Sequence, residues 1–202
     1  MISVIDYGAG NLRSVLSALR AVGCEPRVAE TPRDAAGSTG LVLPGVGSAA
    51  DTMENLRRSG LSDLILDWIG SDKPFLGICM GLQILFARSE EGGDQDCLSI
   101  LPGRVVRLPA GLKVPHMGWN QVRYSQSCLL FDGIPDGTNF YFVHSYYAIP
   151  DDSSIITART DYGVDFCSAL ARGNLFATQF HPEKSGPSGL QIYRNFIAHT
   201  RQ

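Results

Sequence analysis

Short apolar runs alternate with stretches of 3.6-residue periodicity through the first half of the chain. Ile2 to Ile5 reads as a buried strand, followed by the turn-rich Asp6-Tyr7-Gly8-Ala9-Gly10-Asn11. Leu12, Val15, Leu16, Leu19 and Val22 then mark one face of a helix that Gly23 ends. A second strand is predicted over Glu25 to Ala29 and a third over Leu41 to Leu43, the latter stopped by Pro44-Gly45-Val46-Gly47. Helical spacing returns from about Asp51 to Arg58 and from Leu61 to Ile69, with Gly60 between them. A further apolar run enters Lys73-Pro74-Phe75-Leu76-Gly77-Ile78-Cys79-Met80-Gly81-Leu82-Gln83, and a helical run through Leu82, Ile84, Leu85 and Phe86 leaves it. This repeated β-α-β-α order predicts a parallel sheet with helices on both faces. Strand C-terminal ends then share one edge, where ligands bind, and the Asp6–Asn11, Pro44–Gly47 and Cys79 turns lie side by side along it.

The second half changes character. Val105 to Leu108, Val122 to Tyr124, Phe140 to Val143, Ile155 to Ala158, Ser168 to Ala171 and Leu175 to Gln179 read as short strands separated by turns such as Asp132-Gly133 and Arg172-Gly173-Asn174. No linker intervenes, so antiparallel extensions of the same sheet are expected rather than a separate domain, with residues 1–202 forming one domain. Leu190, Tyr193, Phe196 and Ile197 mark a closing helix.

Composition narrows the class. A hydrophobic fraction of 44% with 18% charged residues over 202 residues suits a globular protein with a full core. A net charge of −3 offers no basic surface for nucleic acid or acidic membrane. No apolar run is long enough to span a bilayer. The first residues read as a strand without a signal-peptide pattern, so a cytoplasmic location is expected. The five cysteines are widely spaced with no CxxC pair, and the four histidines lack metal-ligand spacing, so neither a metal nor any other cofactor is expected. The Gly8-Ala9-Gly10 loop suggests dinucleotide binding, but Arg13 stands where the fingerprint needs its third glycine.

The chemistry concentrates at Cys79. A nucleophile between two glycines, after an apolar strand and before a helix, is the pattern of a sharp strand-to-helix elbow, here with Cys in place of Ser. A thiol at a helix N-terminus is favoured as thiolate. Its base is best sought in Phe180-His181-Pro182-Glu183-Lys184, where Glu183 is placed to accept a hydrogen bond from the second ring nitrogen of His181. His144, at another strand end, is the rival base and has no carboxylate two residues on. His116 reads as a loop residue. The backbone N–H of Met80 is one natural oxyanion donor, and the turn at Val46 and Gly47 is placed to supply the second. Two glycines flanking Val46 make rotation of that peptide easy, which would make the donor switchable.

These residues resemble the class I (triad-type) glutamine amidotransferases. Gly77-Ile78-Cys79-Met80-Gly81-Leu82-Gln83 is similar to their nucleophile elbow and Phe180-His181-Pro182-Glu183 to their His-Glu motif. Ile5-Asp6-Tyr7-Gly8-Ala9-Gly10-Asn11-Leu12, Pro44-Gly45-Val46-Gly47, His116-Met117-Gly118-Trp119-Asn120, Tyr141-Phe142-Val143-His144-Ser145-Tyr146 and His181-Pro182-Glu183-Lys184-Ser185-Gly186 are further similar to the glutaminase subunits of imidazole glycerol phosphate synthases within that family. The resemblance spans essentially the whole chain. It implies a three-layer, flavodoxin-like α/β fold with a mostly parallel central sheet extended by antiparallel strands. It also implies hydrolysis of glutamine through a Cys79 thioester, with Gly45, Gly47, Gln83, Glu91, Ser145 and Tyr146 holding the substrate. Ammonia would pass to a separate cyclase, a (β/α)8 barrel of histidine biosynthesis, docked through Asn11, Trp119, Tyr141 and Lys184. Met80 replaces the commoner leucine, and Ser48-Ala49-Ala50 lacks the usual Ala-Phe after Gly47. A glutaminase serving another acceptor, a non-catalytic docking scaffold and a cysteine peptidase are the competing readings.

Overall fold

The computed structural model describes residues 1–8 and 11–201; Ala9 and Gly10 of the opening glycine loop lie outside the described residues. Strands β1 (Ile2–Ile5), β2 (Arg27–Ala29), β3 (Gly40–Leu43) and β4 (Phe75–Ile78) alternate with helices α1 (Leu12–Ala21), α2 (Ala49–Ser59) and α3 (Leu61–Gly70). After the one-turn helix α4 (Met80–Gln83) come β5 (Phe86–Ser89), β6 (Gln95–Asp96), β7 (Leu101–Arg107), β8 (His116–Tyr124), β9 (Thr138–His144), β10 (Tyr146–Pro150), β11 (Ile156–Asp161), β12 (Asp165–Arg172) and β13 (Leu175–Thr178). Helix α5 (Gly186–His199) closes the chain.

Among the described residues nine strands form one sheet in the order β2-β1-β3-β4-β13-β12-β11-β8-β9. The first five are parallel, in the order of a flavodoxin-like sheet, and the last four extend it antiparallel. Strand periodicity splits the apolar residues between two cores. Ile5, Leu41, Leu43, Phe75, Leu175 and Ala177 face α2 and α3, while Val4, Val42, Leu76 and Phe176 face α1 and α5. Ser48 caps α2 by accepting the Asp51 N–H at 3.1 Å, and Gly60, at φ 73°, ends it in the left-handed conformation.

Two expectations are corrected. Val105 to Leu108 does not extend the main sheet: β7 joins a separate four-stranded sheet, β10-β7-β5-β6, stacked on the α2/α3 face. The helix predicted from Leu82 through Phe86 also stops after one turn. The carbonyls of Ile84 and Leu85, which a continuing helix would need, accept instead from the Leu98 and Leu101 N–H groups at 2.9 Å each. Ile84, Leu85 and Phe86 are buried on all sides, so an apolar run with helical spacing serves a strand that enters the second sheet. That sheet walls the edge that carries Cys79, because Tyr146 at the head of β10 and Ser145 just before it line the same cavity as Cys79.

Candidate active site

Strand β4 delivers Cys79 to the C-terminal edge of the sheet, between β3 and β13. Its backbone sits at φ 53°, ψ −103°, a conformation unfavourable for any residue but glycine. Three hydrogen bonds hold it there: the Cys79 N–H to the Thr178 carbonyl at 2.7 Å, and the Leu82 and Gln83 N–H groups to the Cys79 carbonyl at 2.9 and 3.1 Å. The flanking glycines are required by close approach. A Cβ on Gly77 would run into the Gly81 carbonyl, one on Gly81 into the Leu43 carbonyl, and one on Gly45 into the Met80 side chain. The Pro44–Gly47 turn is thereby pressed against the elbow. A single helical turn sums few peptide dipoles, so the helix contributes less to a thiolate than the sequence suggests.

His181 and Glu183 follow β13 in a short 3-10 turn set by Pro182. Both side chains are 1% exposed, and His181 Nδ1 lies 2.8 Å from Glu183 Oε1. Asn11 donates from Nδ2 to the same oxygen at 3.1 Å, and its own Oδ1 accepts from Ser14 Oγ at 2.7 Å. Asn11, expected on a docking face, thus reaches the candidate triad acid directly. His181 Nε2 is buried and unpartnered among the described residues. Burial opposes a charged imidazole, but the Cys79 and Glu183 charges outweigh it and hold His181 above its ordinary value. For Glu183, burial pushes upward, and His181 together with the Asn11 amide holds the carboxyl below the ordinary range.

Cys79 opens into a cavity of about 290 Å³, whose walls include Val46, Gly47, Met80, Gln83, Glu91, Ser145 and Tyr146. Gly45 lies beneath the wall, against Met80. Glu91 is half-buried and accepts the Ala49 N–H through Oε2 at 2.8 Å; burial raises its carboxyl, with Ala49 offsetting part of the shift. A carboxylate and a nucleophile lining one cavity suit a small molecule that carries both an ammonium and an electrophile. As first residue of α4, Met80 has a backbone N–H without an intrahelical acceptor.

His144 also lines this cavity, but both its ring nitrogens are engaged. Nδ1 lies 2.9 Å from the Tyr146 carbonyl and Nε2 lies 3.0 Å from His116 Nδ1. Burial pushes His144 down to about 3 and His116 to about 4, so both are neutral at physiological pH. The geometry therefore favours His181 as base. His116, expected in a loop, begins β8 opposite His144 and stacks between Phe142 and Tyr162. Sequence reasoning also missed Gln179. It is fully buried, accepts from Gln83 Nε2 at 3.0 Å and donates to Cys79 Sγ at 3.5 Å. The available signal was an amide inside the apolar run Leu175–Phe180.

Trp119 and Met117 are exposed on β8, 58% and 61% respectively. The Trp119 ring meets Tyr141 of β9 edge-on at 6.2 Å, and Lys184 Nζ sits 5.7 Å over the Tyr141 ring. Tyr141 also touches the turn that carries His181: its carbonyl accepts the His181 N–H at 2.9 Å.

Residues 3–200 match the family model described as glutamine amidotransferase class-I. The "Imidazole glycerol phosphate synthase subunit HisH" of Dehalococcoides mccartyi strain CBDB1 is 55% identical over 197 residues, covering 98% of this chain and 96% of the relative. The protein of the same name from Moorella thermoacetica is 52% identical over 195 residues, covering 96% and 93%. Among solved structures, PurLQS from Thermotoga maritima superposes with a TM-score of 0.78 at 18% identity, over 98% of this chain and 97% of that one. A glutamine amidotransferase, also from Thermotoga maritima, superposes with a TM-score of 0.67 at 18% identity, over 99% and 83%. At such identities the structural likenesses speak for the fold alone. No helix among the described residues is long and apolar enough to cross a membrane. The family match over nearly the full chain and the relatives at half identity lead to one assignment: this chain belongs to the class-I glutamine amidotransferases.

Proposed function

We propose that the chain is the glutaminase subunit of an imidazole glycerol phosphate synthase, hydrolysing glutamine and passing ammonia to a separate cyclase. The observation that carries the chemistry is the hydrogen-bonded series His181–Glu183–Asn11 beside Cys79, whose charge bears on His181 and whose sulfur is open to a cavity. Relatives named as that synthase's HisH subunit, at 52% and 55% identity over nearly the whole length, support the acceptor. The match over residues 3–200 supports reading the chain as one catalytic domain, and the proposed biosynthetic role places its action in the cytoplasm.

The Cys79 thiolate attacks the side-chain amide carbon of glutamine, forming a C–S bond while the carbonyl oxygen takes the negative charge. The Met80 N–H and an N–H of the Val46–Gly47 peptide receive that oxyanion. As the carbonyl re-forms, the C–N bond breaks and His181 Nε2 gives its proton to the departing nitrogen, releasing ammonia. Water then attacks the thioester, His181 takes its proton, the C–S bond breaks, and glutamate leaves with the thiolate restored. Glu91 binds the α-ammonium of glutamine, and Gln83, Ser145 and Tyr146 line the remaining path.

The partner is a (β/α)8 barrel that docks on the Trp119–Tyr141–Lys184 patch. An exposed tryptophan edge-on to a tyrosine under a lysine is a suitable aromatic anchor. The Tyr141 carbonyl bond to the His181 N–H gives docking a short path to the base. The Gly45–Val46–Gly47 peptide acts as the switch, its donor turned toward the oxyanion only in the activated complex. Glutamate release should be measured with the chain alone, with the cyclase, and with the cyclase plus its nucleotide substrate. A steep rise only in the complete mixture is expected. Equal turnover by the chain alone would refute the switch, and no glutamate in any mixture would refute the function.

A further inference from the structure

We propose that Gln179 is a fourth catalytic residue, an amide N–H donor that stabilises the Cys79 thiolate and is oriented by the same hydrogen-bond chain that orients Gln83. The proposal rests on the reading of Cys79 as the nucleophile and assigns its sulfur a partner outside the triad.

Acceptors that cannot reverse their role set the direction of this chain. The Tyr146 carbonyl only accepts, so Gln83, 2.8 Å away, presents Nε2 to it. The same Nε2 lies 3.0 Å from Gln179, which must answer with Oε1. Gln179 Nε2 therefore points away from Gln83, toward Cys79 Sγ at 3.5 Å. Turning the Gln179 amide over would set two NH2 groups against each other and a carbonyl oxygen against a thiolate, so the chain leaves it one orientation.

A second fixed point secures the other side of the Tyr146 carbonyl. His144 donates to it from Nδ1, which makes His144 Nε2 an acceptor for His116 Nδ1–H at 3.0 Å. His116 Nε2 then accepts from Asn120 Nδ2 at 3.3 Å, and Asn120 is itself pinned by donating to the Asp161 carbonyl at 2.9 Å. Each donor in the series has an acceptor, and it runs from Asn120 in β8 to the nucleophile. Gln179 is 0% exposed, so its bond to sulfur is made without competition from bulk water.

In the catalytic cycle this donor acts at both ends. Before attack it raises the population of thiolate, and during deacylation it receives the sulfur as the C–S bond breaks. His181 handles the protons, and Gln179 exchanges none.

The test is alkylation of Cys79 by iodoacetamide as a function of pH, read by peptide mass spectrometry. This keeps the other four cysteines separate and requires no glutaminase turnover. Gln179→Met keeps approximate length without a donor. Gln179→Glu keeps shape, still accepts from Gln83, and turns a carboxylate oxygen toward the sulfur. The midpoint of the alkylation profile should move up by about one pH unit in Gln179→Met and further in Gln179→Glu. A more basic thiolate is also more nucleophilic, so the alkaline plateau should rise about threefold while alkylation below the midpoint slows about threefold. This crossing of the curves is not produced by loosened packing, which would speed alkylation at every pH. Folding is checked by the thermal midpoint, and Gln179→Glu stands in should Gln179→Met fail to fold. A folded variant with unchanged midpoint and plateau overturns the proposal. Shifted profiles in a protein that releases no glutamate would overturn the glutaminase reading and leave the Gln179–Cys79 bond standing.

Discussion

Replacing Glu183 by glutamine tests whether its charge or its geometry matters more to His181. Glu183 Oε1 accepts from His181 Nδ1 at 2.8 Å and from Asn11 Nδ2 at 3.1 Å, and Ser14 fixes Asn11 so that its amide nitrogen faces this oxygen. In Glu183→Gln two donors still converge on one position, so the new amide keeps its oxygen there and His181 keeps its tautomer. What is lost is the charge. A hydrogen bond to a charged group contributes about 1.5–3 kcal/mol and is roughly twice as strong as a neutral one. The imidazolium should therefore lose on the order of 1–1.5 kcal/mol, close to a tenfold fall in turnover. Adding Asn11→Leu removes the second donor and frees the amide to turn its nitrogen toward His181. That inverts the tautomer, for which losses of about 10⁴ are known in serine enzymes. The assay is kcat for glutamate release in the presence of the cyclase and its substrate. A fall of about 10⁴ in Glu183→Gln alone, or no further loss in the double variant, would show that Asn11 does not orient the acid.

Two further outcomes follow from the fold. Gly81→Ala places a methyl against the Leu43 carbonyl, so the elbow must shift; a loss of about 1–3 kcal/mol in urea unfolding is expected, together with lost activity. His116 and His144 are depressed to about 4 and about 3 by burial, whereas the unfolded chain titrates them near 6.5. Between those values the unfolded state binds more protons, so the contribution of these two groups to stability is complete above about pH 6.5 and falls with acid at up to about 1.4 kcal/mol per pH unit for each histidine. His116→Phe, which keeps the stack on Phe142 and Tyr162, should flatten that slope in thermal melts between about pH 4 and 6.5.

The parallel core was legible because each of its elements carries its own signal: short apolar strands, helices with an amphipathic face, glycines at close approaches. The elbow and the His181–Glu183 pair were legible for the same reason, since short sequence spacing there determines spatial neighbours. The second sheet was not. Phe86, Leu101 and Ala148 carry no label saying which of two buried sheets they enter, and helical spacing through Leu85 was overridden by pairing with the segment from Leu98 to Leu101. Asn11, His116 and Gln179 escaped in a different way. Their partners lie 172, 28 and 100 residues away, and a polar residue's role is set by what the fold brings to it. His144, paired with His116, also shows how a histidine can line the candidate cavity with both ring nitrogens already engaged.

In the proposed function one sulfur, that of Cys79, makes the ammonia, and the cyclase consumes it at a separate centre. This division of labour is tested by synthesis in the complex of Cys79→Ala with the cyclase, run once with glutamine and once with ammonium salt. Activity with ammonium should equal that of the unaltered complex, while synthesis and glutamate release with glutamine should vanish. Glutamate release retained by Cys79→Ala would mean that the nucleophile lies elsewhere.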